Sequence, residues 1–257
     1  MAVAIIGLAF TMAACSSGGG PAEPVAEPSS QAPTTATSPY RTSGDGQVVV
    51  AEKGFSMIAS HNDLPRLSYG VVLENRNRKA VAFPAYTVSF IDAAGTRIGD
   101  DVVTTSPPRI LPGGRYGVGG TIPQAAARKV ADLRLTVTET TWVPTNAEGR
   151  FTGLVASQVR TQQATRPADG GRTTLTFTID SAFAKPIPGV DASVVFRDGA
   201  GRIIGGVDHV TSRADFDGVD VPPGRSDHEL TLKEDAPAGV DESRTEVYVF
   251  PNSWPAP

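Results

Sequence analysis

The sequence predicts an all-β chain, two tandem β-sandwich domains behind a disordered N-terminal tether, and three observations predict it. After Gly46, short runs rich in Val, Ile, Thr and Phe alternate apolar with polar positions, separated by Pro, Gly, Asn and Asp clusters. The stretch FIDAAGTRIG at residues 90–99 returns as FRDGAGRIIG at residues 196–205, 106 positions later. Residues 16–46 are mostly Ser, Gly, Pro, Ala and Thr, almost without large apolar side chains.

The N-terminus comes first. Residues 3–10 form an apolar run too short to cross a bilayer core of about 30 Å, and the chain's one cysteine, Cys15, follows at the end of MAVAIIGLAFTMAAC. A single cysteine allows no intramolecular disulfide. Ala13-Ala14-Cys15 resembles the lipobox of bacterial lipoproteins, with Met12 where Leu is usual. The resemblance implies a signal peptide over residues 1–14, lipidation of Cys15, and an address on the extracytoplasmic face of a bacterial membrane. The two acyl chains of such an anchor make a stable attachment. An ordinary cleaved signal with a coincidental cysteine, or an apolar start that is neither, is the alternative. No Lys or Arg precedes the apolar run, which leaves room for a start upstream of Met1.

Residues 15–46 then read as a tether. Such a composition buries too little surface to offset its ordering entropy. As a flexible coil it has an r.m.s. span of roughly 30 Å, enough to lift a folded body off a membrane.

The two domains are placed at residues 47–143 and 151–257, with a linker at 144–150. A shift of 106 pairs Tyr69, Val71 and Leu73 with Leu175, Phe177 and Ile179, and Val88 and Phe90 with Val194 and Phe196. Strand phase is kept throughout, whereas a one-residue slip would turn every apolar side chain to the wrong face. The register then slips at an extra loop before VPPGR (221–225), the counterpart of LPGGR (111–115). Beyond it a shift of 112 pairs Leu135, Val137 and Trp142 with Val247, Val249 and Trp254. Within the twin stretches, Asp92 and Asp198 read as turn caps, and Gly95 and Gly201 as the positive-φ residues of a tight reversal. The Gly-rich GGRYGVGG at 113–120 alternates like a strand, and close backbone packing explains its glycines. His228 falls roughly where Tyr116 lies in the first copy, a half-buried strand position.

Leu73-Glu74-Asn75, the run from Val88 to Gly95, and Leu111-Pro112-Gly113 resemble the FxLYD family, an immunoglobulin-like module of bacterial surface lipoproteins and exported proteins. Residues 194–201 and Pro223-Gly224 carry the likeness in the second copy, with Ser181 where Asn is expected. The resemblance implies an immunoglobulin-like sandwich for each half and a surface location. It supplies no catalytic residues.

The chemistry is sparser. A net charge of −4 gives no footprint for nucleic acid. There is no Gly-x-Ser-x-Gly elbow and no phosphate loop. His61, His209 and His228 stand apart along the chain, and with one cysteine no thiolate metal site can form. Asp215, Asp217 and Asp220, in a loop peculiar to the second copy, are the candidate ligands for Ca²⁺, or else a solvated acidic turn. Arg76, Arg78 and Lys79 are a candidate interaction cluster, or a solvated loop. Residues 47–150 carry a net +3 and residues 151–257 a net −5.

The expected activity is therefore non-catalytic: an interaction or scaffold module held at the membrane, meeting an envelope protein or cell-wall component. A small-ligand or Ca²⁺-binding surface protein is the alternative, and an enzyme with a dispersed site stands behind both.

Overall fold

The computed structural model describes residues 47–58, 66–104, 108–122, 129–144, 154–163, 173–188, 190–210, 220–232 and 236–251. The signal and tether residues, including Cys15, lie outside them. Every ladder among the described residues is antiparallel.

The first half comprises β1 (Val48–Ile58), β2 (Arg66–Asn75), β3 (Ala80–Ile91), β4 (Arg97–Val103), β5 (Arg115–Ile122) and β6 (Asp132–Pro144). They form two three-stranded sheets, β1-β2-β5 and β4-β3-β6. Their inner faces enclose a core that includes Leu67, Tyr69, Val71, Leu73, Val88, Phe90, Val118, Leu133 and Trp142. The alternating positions read from the sequence in this half point inward, and Trp254 of the second copy lies outside the described residues.

The second half repeats this order. Its strands are β7 (Leu154–Gln163), β8 (Thr173–Ser181), β9 (Val190–Arg197), β10 (Ile203–Val210), β11 (Gly224–Thr231) and β12 (Glu246–Pro251). Sheets β7-β8-β11 and β10-β9-β12 reproduce the pairing of the first half strand for strand. The ladders also carry the sequence offsets. Tyr86 stands opposite Val137, and Ala192, 106 residues on, stands opposite Val249, 112 residues on. This is the A-B-E and C-F pairing of a sandwich with immunoglobulin-like connectivity, with an extra strand beside C.

The ladders shift one equivalence. Val71 pairs with Val118, and Phe177 with His228, so the counterpart of His228 is Val118 rather than Tyr116. His228 is half-buried and stacks on Phe177 at 6.1 Å.

The twin turns form as their residues dictate. Asp92 Oδ1 accepts from the amides of Ala94 and Thr96 at 2.9 and 2.8 Å. Asp198 Oδ1 accepts from those of Ala200 and Arg202 at 3.0 and 2.9 Å. Gly95 and Gly201 follow at φ +83° and +82°, the region where a side chain is strained.

Burial separates the copies. Strand β3 alternates buried and half-buried residues, whereas its counterpart β9 is buried on both faces except at Asp191. Strand β2 is likewise buried on both faces over Leu67–Leu73. The reason is a third contact surface: sheet β1-β2-β5 lies face to face on sheet β10-β9-β12. Val72, Val195 and Ile203 form its apolar centre, with Tyr248 packed against them. The two sandwiches make one compact unit with four stacked sheets.

Glycine lets these backbones meet. Gly117 and Gly119 of the GGRYGVGG stretch face Val195, Tyr248 and Gly206 across the junction, and a Cβ at Gly119 would overlap the Gly206 backbone. Buried serines satisfy the polar groups there. Ser68 Oγ accepts from the Gly206 amide at 3.1 Å, and Ser193 Oγ donates to the Gly117 carbonyl at 2.6 Å.

Candidate functional site

Two features stand out at the junction among the described residues. The first is a chain of charged groups. Arg197, on the junction face of β9, has a side chain only 7% exposed and donates to Glu52 of β1, to Glu246 of β12 at 3.2 Å and to the Gly201 carbonyl at 2.9 Å. Arg115 of β5 also donates to Glu52, and the Tyr248 hydroxyl to Glu246. Cations and carboxylates thus alternate across the two halves. Arg197, aided by Arg115, holds the Glu52 carboxyl below the usual carboxylate range despite partial desolvation. Burial, reinforced by the Glu246 carboxylate, pushes the Tyr248 hydroxyl up, so it remains a donor.

The second feature is a groove of about 590 Å³ beside that network. Strands β5, β7 and β12 line it, and each stands at the end of its sheet order. Leu154, Ala156, Val159, Phe183 and Val249 give it apolar walls. Arg109 closes one end, donating to the Pro251 carbonyl with its guanidinium 5.1 Å from the Phe250 ring centre. Glu242 and Glu246 stand toward the other end of β12. Gln158 in the β7 wall has φ +53°, a conformation seldom taken by a residue other than glycine. A further cavity of about 670 Å³ is lined by Glu52, Lys53, Gly54, Phe55 and residues 200–204.

The candidates from sequence fall elsewhere. Arg76, Arg78 and Lys79 are exposed on the turn between β2 and β3, with Arg76 3.6 Å from Glu74. Asp215 and Asp217 lie outside the described residues, and Asp220 is exposed just before the bridge at Val221. No cluster of three His, Cys, Asp or Glu side chains able to hold a metal occurs among the described residues. His61 also lies outside them. Ser226 Oγ and His228 Nε2 are 2.7 Å apart on β11, and this pair lines neither cavity.

No protein-family model matches the chain. No curated protein is significantly similar to it in sequence.

The groove and its neighbouring charge network were missed by motif reading, because neither has a local pattern. A signal does exist in the comparison of the copies. On outward faces Ser89 becomes Val195, Arg97 becomes Ile203, Asp100 becomes Gly206 and Thr136 becomes Tyr248. Positions where one copy is polar and the other apolar or small mark the face that became buried.

Proposed function

We propose that this chain is a bacterial lipoprotein anchored through Cys15 on the extracytoplasmic side of a membrane. In this reading it is a non-catalytic interaction module built from two FxLYD-like, immunoglobulin-like sandwiches. The observation that carries the proposal is the order of parts: a lipobox-like segment ending in the only cysteine, a Ser/Gly/Pro tether, then a duplicated sandwich. A rigid double sandwich on a tether presents edges and loops at a distance from the membrane, which suits recognition of an envelope protein or wall component.

Cross-linking in intact cells, followed by affinity capture, tests this with the full chain against Cys15→Ser. The expected result is membrane-associated protein with a reproducible cross-linked partner, and Cys15→Ser released from the membrane with that partner lost. Membrane association unchanged by Cys15→Ser removes the anchor, and an anchored protein that captures nothing removes the interaction role.

A further inference from the structure

We propose that the groove lined by β5, β7 and β12 receives an extended polypeptide strand from a partner protein, which adds to the outer edge of β12 as the next strand of sheet β10-β9-β12. The inference deepens the interaction reading above and rests on it.

The argument begins with backbone chemistry. β12 pairs with β9 over Glu246–Pro251 without a register shift, and among the described residues it is the last strand of its sheet. A straight strand in that position presents a row of main-chain donors and acceptors at peptide spacing, and another strand is the ligand that matches it. The facing edge is different. β7 carries a register shift between Ser157 and Arg160, with Gln158 in its left-handed conformation, and a bulge of this kind blunts a strand edge. Of the three edge strands that line the groove, β7 is the blunted one and β5 meets it only through Arg115 and Tyr116, whereas β12 runs along it from Glu246 to Pro251.

Side chains set what that strand must carry. The groove opens onto Leu154, Ala156 and Val159, core-side residues of β7 that are left only half-buried. Apolar side chains at alternate positions of the incoming strand would cover them. Polarity follows from the ladders: every ladder among the described residues is antiparallel, and a strand added in the same way would start beside Arg109 and end beside Glu242. An acidic residue at its beginning and a basic one at its end complement this arrangement. The groove is also continuous with the packed junction, since Arg115, Tyr116, Tyr248 and Phe250 belong to both.

The test uses the full chain and a displayed library of heptapeptides with apolar residues at alternate positions. Retained sequences are resynthesised in two N-methylated forms, methylated at the odd or at the even backbone nitrogens. Only one set of nitrogens faces β12, so the expected result is binding weakened at least tenfold by one form and little changed by the other. Ala156→Trp, which fills the groove, should weaken binding by a similar factor. Slowed amide exchange at Val247–Phe250 in the unsubstituted protein reads the same contact should that variant fail to fold. The proposal is overturned if no heptapeptide is retained, if both methylated forms bind like the parent, if protection appears away from β12, or if dodecanoate occupies the groove and peptides do not. None of these outcomes touches the cell cross-linking result, which reads a partner anywhere on the surface.

Discussion

Gly119 of the first sandwich and Gly206 of the second lie backbone against backbone. A methyl group added at Gly119 would stand 2.5 Å from the Gly206 carbonyl carbon and 2.6 Å from its α-carbon. Both neighbours are main chain within paired strands, so neither can turn aside. Gly119→Ala should cost about 1–3 kcal/mol, the usual penalty of overpacking a close-packed interior. Urea unfolding measures it, and an unchanged midpoint would show that the two sheets do not approach this closely.

Cooperativity follows from the same contact. Residues 47–143 alone would expose Val72, and residues 151–257 alone would expose Val195 and Ile203. The full chain is expected to unfold in one transition by both fluorescence and far-UV circular dichroism. Two separated transitions would mean that the sandwiches are independent.

Arg197 is shared by two carboxylates, one from each half. Arg197→Ala would leave Glu52 and Glu246 facing one another across the junction without their shared cation. The carboxylates are 38% and 37% exposed, so water softens the penalty, and about 1–3 kcal/mol is expected. A double-mutant cycle with Glu52→Gln isolates the pair, and a coupling near zero would reduce it to a surface contact.

The same carboxylate predicts a pH dependence. Glu52 has a lower pKa folded than unfolded, so its contribution is fully present above the unfolded value of about 4.3 and is lost as pH falls toward the folded value. Stability of the native protein should fall below that pH more steeply than stability of Glu52→Gln. Parallel acid limbs for the two proteins would contradict the assignment.

Asn75 offers a test inside the first sandwich. Its buried amide donates to the carbonyls of Ala80, Ile110 and Leu111 at 2.9, 2.9 and 3.1 Å, and its oxygen accepts from the Asn77 amide. Asn75→Ala removes these side-chain hydrogen bonds at once, although the Ile110 and Leu111 carbonyls keep the amides of Ala82 and Gly114, and should cost about 1–3 kcal/mol. Asn75→Ser should recover little, because a hydroxyl at that position has one donor where the amide has two. A thermal melt of both variants checks the order.

Much of the fold was legible because period-two alternation and a 106-residue echo are local statements that packing then obeys. Tyr69, Val71 and Leu73 announced an inward face, and Asp92 with Gly95 announced a turn, each through chemistry confined to a few residues. The junction was harder to read because it joins residues far apart in sequence. Ser68 and Gly206 look like ordinary strand residues until the two sheets are stacked. The same holds for the groove, whose walls come from strands separated by about 130 positions between β5 and β12. A two-residue difference in loop length was enough to misplace the counterpart of His228.

The junction joins unlike faces, the β1-β2-β5 side of one copy to the β10-β9-β12 side of the other. Contacts between unlike surfaces have no built-in end: the same step, repeated, generates a column rather than a closed pair. Neither outer wall offers the surface that a further step would need. The next face in line carries Arg160, Thr174, Thr176, Asp227 and Glu229, and the face at the opposite end carries Thr87, Ser89, Arg134 and Thr136. Where the buried pair has glycine and valine, the two outer walls have hydroxyls and charges that keep their water. Walls of this kind act as end caps, because a further sandwich stacking in the same way would have to strip them of water.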